Sequence, residues 1–527
     1  MAERSAKGCL VAAFIWIVIV GVLAVAGKYF LLPYWRGLKE KEQIVRTGDE
    51  ERHYDHTVKM FADGFSGYSI LRSPDVKKEL QGQSVNLAIE DDGARYPERM
   101  QALANGEIQM AVFTIDSFVQ TGAKLGRYPA SIVMVLDETK GADAIVAYKS
   151  AVGSLKDLDH PDARFVFVPQ SPSEFLARIV CAEFDLSRLP KRWWIEAEKV
   201  EDVYAQFRSA GKQAKRAFVL WEPGVSEALE LSGAHVLIDS SRVQGYIVDV
   251  LVAERNFLDG SRDVVRKVLE AYLRANYKYS GDADALRELV KEDAGGFGQR
   301  LKKEQAEKLI RGIAWKNTQE NYAHFGLLSA EESRGLSHVG DMIEKIAAIL
   351  VKTEALGSNP LEGKAHTIYH SDVLRQMQND KFHPGHKLGI IGSDTLSPEK
   401  VRAAAPLPEL NEEQWAKLRA VADVKIDPIS FRRSAADLNI QSQRNLDDLA
   451  KRLPGWPFYY LRVVGHARSE GNREANERLA QDRAGAVVEY LVSKGIEKKR
   501  LEAKTAPPSE KGGAAQSVSF VLLERPY

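Results

Sequence analysis

Apolar and polar positions along the chain fall into distinct regimes, and the first is the plainest. From Cys9 to Gly27 the chain reads CLVAAFIWIVIVGVLAVAG, without a charge or a proline. About 20 apolar residues span a bilayer core, so a membrane anchor is expected within residues 9–32. From residue 56 short apolar runs follow: HTVKMF, SVNLAI, IQMAVF, ASIVMVL, DAIVAY, RFVFVP, RAFVLW, AHVLI and IVDVLVA. They alternate with amphipathic stretches such as YPERMQALANG and PSEFLARIVCAEF, a pattern that predicts βαβ units and parallel sheets. Ser171-Pro172-Ser173-Glu174 reads as a helix entry and Gly106 as a helix exit. Past Gly260 the period turns helical, in VVRKVLEAYLRANYKY, ADALRELVKE, EQAEKLIRGI and DMIEKIAAILVK.

Residues 381–410, rich in Gly, Pro and Ala, lose any period and read as a linker with one short helix. Residues 411–527 then carry strand-like VKIDPISF, a helix through NIQSQRNLDDLAKRL, a strand YYLRVVGH, a helix from about Gly471 to Lys494 and a last strand SVSFVLLE. On the long helix, Ala475, Leu479, Ala486, Val487, Tyr490 and Leu491 are expected to face a core. The fold class expected is an α/β region over 50–380 followed by a compact α+β domain.

Arg4 and Lys7 place the tail 1–8 in the cytoplasm by the positive-inside rule, although Lys28 and Arg36 weaken the asymmetry. Tyr29, Phe30, Tyr34 and Trp35 fit an interfacial belt. Ala24-Val25-Ala26 offers the rival reading of a cleaved signal peptide, and both readings export the rest of the chain.

Lys+Arg 73 against Asp+Glu 73 leaves no net field, so nucleic acid is not an expected partner. Cys9 and Cys181 form no chelating pattern, and Cys181 reads as a helix core residue. His53 and His56, spaced like ligands on a helix, and His383 and His386 each lack a third ligand. No P-loop, nucleophile elbow, HExxH or Gly-rich dinucleotide loop occurs. No enzyme activity, cofactor or metal is expected.

MQALANGEIQMAVF, VLDETKGADAIVA, LWEPGVSEAL and DSSRVQGYIVDVLVAERNFL together resemble the periplasmic solute-binding proteins of the nitrate, sulfonate and taurine type, and less closely those for phosphate. WKNTQENYAHFG and HTIYHSDVLRQM resemble that family's closing helices. The resemblance implies two lobes around a cleft, with the chain crossing near Thr139–Asp143 and returning near Ser240–Tyr246. It nominates ligand-binding residues at the carboxyl ends of strands. These are Ser66, Gly67 and Tyr68, then Asp91 and Asp92, then Thr114, Asp116 and Ser117, with Thr139, Ser171, Ser173 and Glu222 completing the set. The hydroxyls and amides suit an oxyanion or a sulfonate, whereas Asp91, Asp92, Asp116 and Glu222 would repel one. The ligand class stays open. For any one of these residues the plainer reading is local: Asp116 and Ser171 as helix caps, Asp91-Asp92 as a turn.

GHARSEGNREANERLAQDRAGAVVEYLVSKGI resembles the OmpA-like peptidoglycan-binding family, with Gly465, His466, Gly471, Asn476, Leu479, Arg483 and Ala484 in register. The resemblance implies peptidoglycan contacts from Asn476 and Arg483, the arginine gripping a carboxylate of the diaminopimelate side chain. Arg468 stands where the family has Asp, Arg432 replaces an acidic residue, and Gln516-Ser517 replace paired arginines. Glu470 is the nearest substitute acid. Weakened wall binding, or an anionic or protein partner, follows. The expected whole is an inner-membrane, single-pass protein with its bulk in the periplasm, a solute receptor of the ABC-transporter type tied to the cell wall or to envelope proteins. The alternative is a non-enzymatic envelope scaffold that uses both modules for protein contacts.

Overall fold

The computed structural model describes residues 54–212, 214–222, 224–387, 399–402, 407–432, 435–467, 471–506 and 518–525. The expected tail 1–8 and anchor 9–32 lie outside them, as do His53, Arg468, Glu470 and Gln516-Ser517. Among the described residues no helix is long and apolar enough to cross a membrane.

Eleven strands of the first region form two sheets. They are β1 (His56–Phe61), β2 (Val85–Glu90), β3 (Met110–Thr114), β4 (Ala130–Thr139), β5 (Asp143–Tyr148), β6 (Arg164–Phe167), β7 (Trp194–Glu196), β8 (Arg216–Trp221), β9 (Ala234–Asp239), β10 (Val248–Glu254) and β11 (Ile313–Trp315). The first sheet runs β11-β4-β10-β3-β1-β2 and the second β7-β6-β8-β5-β9. Each carries one lobe. The chain leaves the first lobe between Thr139 and Asp143 and returns between Asp239 and Val248, the two crossings the resemblance implied. The expectation of parallel sheets needs correction. β1 and β3 are parallel, but β10 is antiparallel to both β3 and β4, and β5 to both β8 and β9. A strand that arrives from the other lobe need not follow the βαβ path, so it inserts in the opposite sense.

The fully buried strands explain why their sequences read as unbroken apolar runs: all ten residues of β4 and all six of β5 are buried. Helix ends follow local chemistry. Ser171 accepts from the Glu174 amide at the start of the Pro172–Glu183 helix, and Gly106, at φ 71°, closes the Tyr96–Asn105 helix in the left-handed region. His56 lies in a strand, which corrects its placement on a helix. Cys181 is a free, half-buried thiol whose pKa burial pushes up to about 12.

The two crossings are laced together. Ser240 Oγ accepts from the Gly141 amide at 2.8 Å, and Thr139 N donates to Ile247 O at 3.1 Å.

The C-terminal module has a sheet ordered β12-β15-β13-β14, where β12 is Arg419–Asp423, β13 Tyr460–His466, β14 Leu501–Ala506 and β15 Val518–Glu524. Helices Ile440–Arg452 and Arg473–Ser493 accompany it. Three expectations shift here. The first strand lies upstream of VKIDPISF, of which Val424 makes a single bridge, to Phe184. The long helix buries Ala480, Ala484, Val487, Val488 and Leu491, while Ala475, Leu479, Ala486 and Tyr490 are not buried. Gly465 of β13 decides this, because the helix backbone at Ala480 comes so close that a Cβ on Gly465 would stand 2.1 Å from its carbonyl oxygen. Third, part of the linker 381–410 is packed: Leu407 and Leu410 lie against Tyr460 and Leu523, and Arg402 pairs with Glu320 at 2.6 Å.

This module is docked on the first region. Lys425 N donates to Glu183 O at 2.8 Å and Asp185 N to Asp423 O at 2.9 Å. Trp456 stacks on Phe184, Arg452 pairs with the buried Glu183 at 2.9 Å, and Gln244 N, in the return crossing, donates to Gly455 O at 2.7 Å. Apolar contact, backbone pairing and a desolvated ion pair explain why the domains sit together where sequence alone suggests two modules on a linker.

Candidate functional site

Between the lobes lies a cavity of about 30 Å³, walled by Tyr68, Tyr96 and Asp249 of the first lobe, Thr139 and Ile247 beside the crossings, and Asp143, Ser171 and Trp221 of the second. That is room for about two water molecules. The lobes touch across it, for Ser117 Oγ donates to Gln170 O at 3.0 Å and Lys308 pairs with Glu222 at 2.9 Å.

Its floor is set by strand register. Trp315, Asp137, Asp249 and Thr114 are successive neighbours across β11, β4, β10 and β3, so one row of the sheet carries two carboxylates side by side. Tyr68 donates its hydroxyl to Asp249 Oδ1, and the Trp315 indole donates to Gly67 O at 2.7 Å. Among the described residues no N–H or other O–H group reaches Asp249 Oδ2 or either oxygen of Asp137. Like charges directly opposed on a sheet repel, which favours the neutral form of these two carboxyls. Burial and the facing Asp137 accordingly keep the Asp249 carboxyl protonated well above the usual carboxylate range.

Behind this row Glu138 behaves in the opposite way. Burial opposes its ionisation, but the Lys316 ammonium at 2.8 Å overrides it and holds the pKa at about 2. Burial pushes Asp137, Asp116 and Asp143 up to about 7, with Glu174 adding to the effect at Asp116 and Glu222 at Asp143.

A pH dependence follows. Unfolded carboxylates titrate near about 4, so from about pH 4 to about 7 the folded chain holds protons that the unfolded chain has released. Each raised group therefore makes stability fall as pH rises through that window. Asp143→Asn is expected to raise Tm more at pH 7.5 than at pH 5, where the native carboxyl is already neutral. Equal shifts at both pH values in thermal denaturation would contradict this.

The residues nominated from sequence divide by position. Tyr68, Thr139 and Ser171 line the cavity, whereas Ser66 and Gly67 are buried outside its lining. Asp91 is exposed and closes a turn by accepting from Gly93 N at 2.8 Å. Asp92 grips the buried Arg99, with Nε 2.7 Å from Oδ2. Thr114 donates to Ser117 Oγ at 2.8 Å, Ser173 Oγ is buried without a hydrogen bond, and Asp116 lies in the first turn of the Ile115–Leu125 helix. Glu222 accepts from Ser226 N at 3.0 Å and faces Lys308 at the cleft margin. The local reading thus fits Asp91 and Asp92 as a turn and Ser171 as a helix cap, but not Asp116, which lies inside its helix behind the N-cap Thr114. Asp63, Ala94, Tyr96, Asp137, Asp143, Ile247 and Asp249 were missed as site residues. The signal for two of them was a lone acid inside an apolar strand, in VMVLDET and IVDVLVA.

In the C-terminal module, Asn476 and Arg483 are two turns apart on one helix. Arg483 Nε donates to Ala435 O at 3.0 Å and its guanidinium lies 5.1 Å from the Phe431 ring centroid.

A larger cavity of about 1080 Å³ runs beside the docking seam, between the Val339–Lys352 helix and residues 448–457. Two of its cations are already engaged, Arg452 by Glu183 and Lys345 by the Tyr246 ring face at 3.3 Å.

Residues 430–516 match the OmpA family. The peptidoglycan-associated lipoprotein of Rhizobium meliloti (strain 1021) is 36% identical over 75 residues, 14% of this chain and 43% of the relative. That of Mesorhizobium japonicum is 36% identical over 76 residues, 14% of this chain and 45% of the relative. The chain therefore spans less than half the length of these curated relatives. Among solved structures, the alkanesulfonate-binding protein SsuA from Xanthomonas axonopodis pv. citri, bound to MOPS, is 16% identical, with a TM-score of 0.45 over 60% of this chain and 99% of that one. The periplasmic nitrate-binding protein NrtA from Synechocystis PCC 6803 is 12% identical, with a TM-score of 0.45 over 61% of this chain and 88% of that one. The C-terminal module is an OmpA domain, and the two-lobed character of the first region rests on its own strand order and crossings.

Proposed function

We propose that this chain is an envelope-linked solute receptor. A small molecule binds between the lobes, and the OmpA domain ties the receptor to peptidoglycan. The observation that carries this reading is a two-crossing, two-lobed fold whose cleft gathers buried polar groups from both sides, in one chain with an OmpA domain. The apolar segment 9–32 would hold it in the inner membrane as a single-pass protein with its bulk in the periplasm. Binding would work by closure about residues 140–142 and 240–247, driven by the ligand's greater affinity for the closed state. No turnover is proposed.

The scaffold reading is favoured by one observation: side chains fill the cleft to about 30 Å³ while the OmpA domain is docked by backbone pairing. Two measurements on the full chain separate the readings. A thermal-shift panel of small metabolites of both charge signs should give a saturable hit, since ligand at 100 times its Kd adds about 2.7 kcal/mol. Sedimentation with purified peptidoglycan should carry the chain down, and Arg483→Ala should weaken that at least tenfold. A flat panel with intact sedimentation would move the assignment to the scaffold; a chain left in the supernatant would remove the wall from it.

A further inference from the structure

The charge of the ligand can be argued from the cleft, on the footing that the receptor reading holds. An anion would need donors; most of those near the cleft are taken by the chain's own acids, Thr139 Oγ1 in the lining being buried without a partner. Three helices begin at the carboxyl ends of strands around it. The Ile115–Leu125 helix carries Asp116 in its first turn. At the Pro172–Glu183 helix Glu174 accepts from Gln170 N, and at the Gly224–Leu229 helix Glu222 accepts from Ser226 N at 3.0 Å. At the latter two helices the positive end that could cradle an oxyanion is thus occupied from within, while the Ile115–Leu125 helix has no side-chain cap and instead places an acid in its first turn.

Nearby cations are spoken for in the same way. Arg99 is fully buried between Asp92 and Asp63, Lys316 is held by Glu138 and Lys308 by Glu222. Among the described residues no lysine, arginine or histidine lines the cavity. Three carboxylates do: Asp63, Asp143 and Asp249. Of these Asp63 has Arg99 as its counter-ion, whereas Asp143 forms no ion pair among the described residues. Asp249 is 1% exposed and has an oxygen that no N–H group and no hydroxyl reaches. The rest of the wall carries four aromatic rings, Phe65, Tyr68, Tyr96 and Trp221, beside the hydroxyls of Thr139 and Ser171 and three aliphatic residues. Ring faces and carboxylates attract one kind of group in common, a partly desolvated cation.

We propose that the cleft takes a compact organic ammonium ion, its charged head set between the Asp143 carboxylate and the unpartnered oxygen of the Asp249 carboxyl group and against the aromatic wall. An ammonium head is roughly the size of a water molecule and fits the closed cavity, so a longer ligand enters with the lobes apart. Burial pushing Asp143 up to about 7 is what a site short of its counter-ion displays. No group of three or more acids, histidines or cysteines able to hold a metal occurs among the described residues, which sets an organic cation ahead of a metal ion.

The test is isothermal titration and thermal shift of the full chain with methylammonium, tetramethylammonium and choline, beside methanesulfonate, nitrate and sulfate, with potassium and calcium chloride as controls. The expected result is saturable stabilisation by at least one ammonium probe, with affinity reduced at least tenfold in Asp143→Asn and in Asp249→Asn. Both variants are isosteric, Asp143→Asn removing a carboxylate and Asp249→Asn replacing a carboxyl group by an amide, and near-UV dichroism checks that each is folded. Stabilisation by an anion and by no ammonium would overturn the cation and leave the receptor standing. Stabilisation by potassium or calcium alone, or an ammonium effect unchanged in both variants, would overturn it too. Silence from every probe would end both this inference and the receptor reading.

Discussion

Arg99→Ala is expected to be among the most damaging single changes in the first region, costing about 3–5 kcal/mol, the usual loss when one partner of a buried ion pair is removed. The side chain is fully buried. Its guanidinium bonds both oxygens of Asp92, lies 3.2 Å from Asp63 Oδ2, donates to Val112 O, and stacks between the Tyr96 and Phe113 rings at 4.8 and 5.5 Å. Alanine would strand two carboxylates and a carbonyl and leave a cavity among aromatic rings. A lysine offers one point charge where a planar fork is needed, so Arg99→Lys should recover only part of the loss. Because Asp63 and Tyr96 line the cleft, ligand response should fall with stability. Chemical denaturation gives the answer directly; a change below about 1 kcal/mol would mean that the buried pairing of Arg99 with Asp63 and Asp92 contributes little to stability.

The second large effect belongs to Gly465→Ala. The added methyl would meet backbone, with the Ala480 carbonyl oxygen at 2.1 Å and its carbon at 2.7 Å, so no rotamer change relieves it. The Arg473–Ser493 helix must lift from β13, at the upper end of the about 1–3 kcal/mol seen for overpacked cores or above it. Arg483 rides on that helix, so peptidoglycan sedimentation should fail together with folding of the module. Gly485→Ala is the control: it lies in the same helix, a Cβ there meets nothing within 4 Å, and the change should stabilise by about 0.5–1 kcal/mol. Limited proteolysis of both variants would separate them, and equal resistance would refute the close approach.

How far the sequence carried depended on the kind of signal. Strands such as RAFVLW and IVDVLVA were legible because burial on both faces makes a strand uniformly apolar, and both crossings fell where a turn-rich stretch separates two such runs. Trp194–Glu196 and Ile313–Trp315 were not seen as strands, since three residues hold no period. The direction of β10 was invisible too, because antiparallel insertion leaves no mark on composition. In the cleft, hydroxyl and glycine loops drew notice because they have the grammar of anion sites. Asp137 and Asp249 escaped it because their importance comes from facing each other across 112 residues of chain, a matter of register. The long helix misled for a related reason: which stripe is buried was fixed by a glycine on another element.

The docking of Gly455 on Gln244 has a mechanical consequence. Gln244 belongs to one of the two strips about which the lobes would swing, and Glu183, Phe184 and Asp185 of the same seam belong to the second lobe. The OmpA domain therefore grips one arm of the joint and its pivot at once. If that domain is held to a wall, tension on it is delivered to the pivot. Each swing of the lobes either tows the tethered domain or strains the seam, so load on the tether and occupancy of the cleft act on a single equilibrium, each shifting the other.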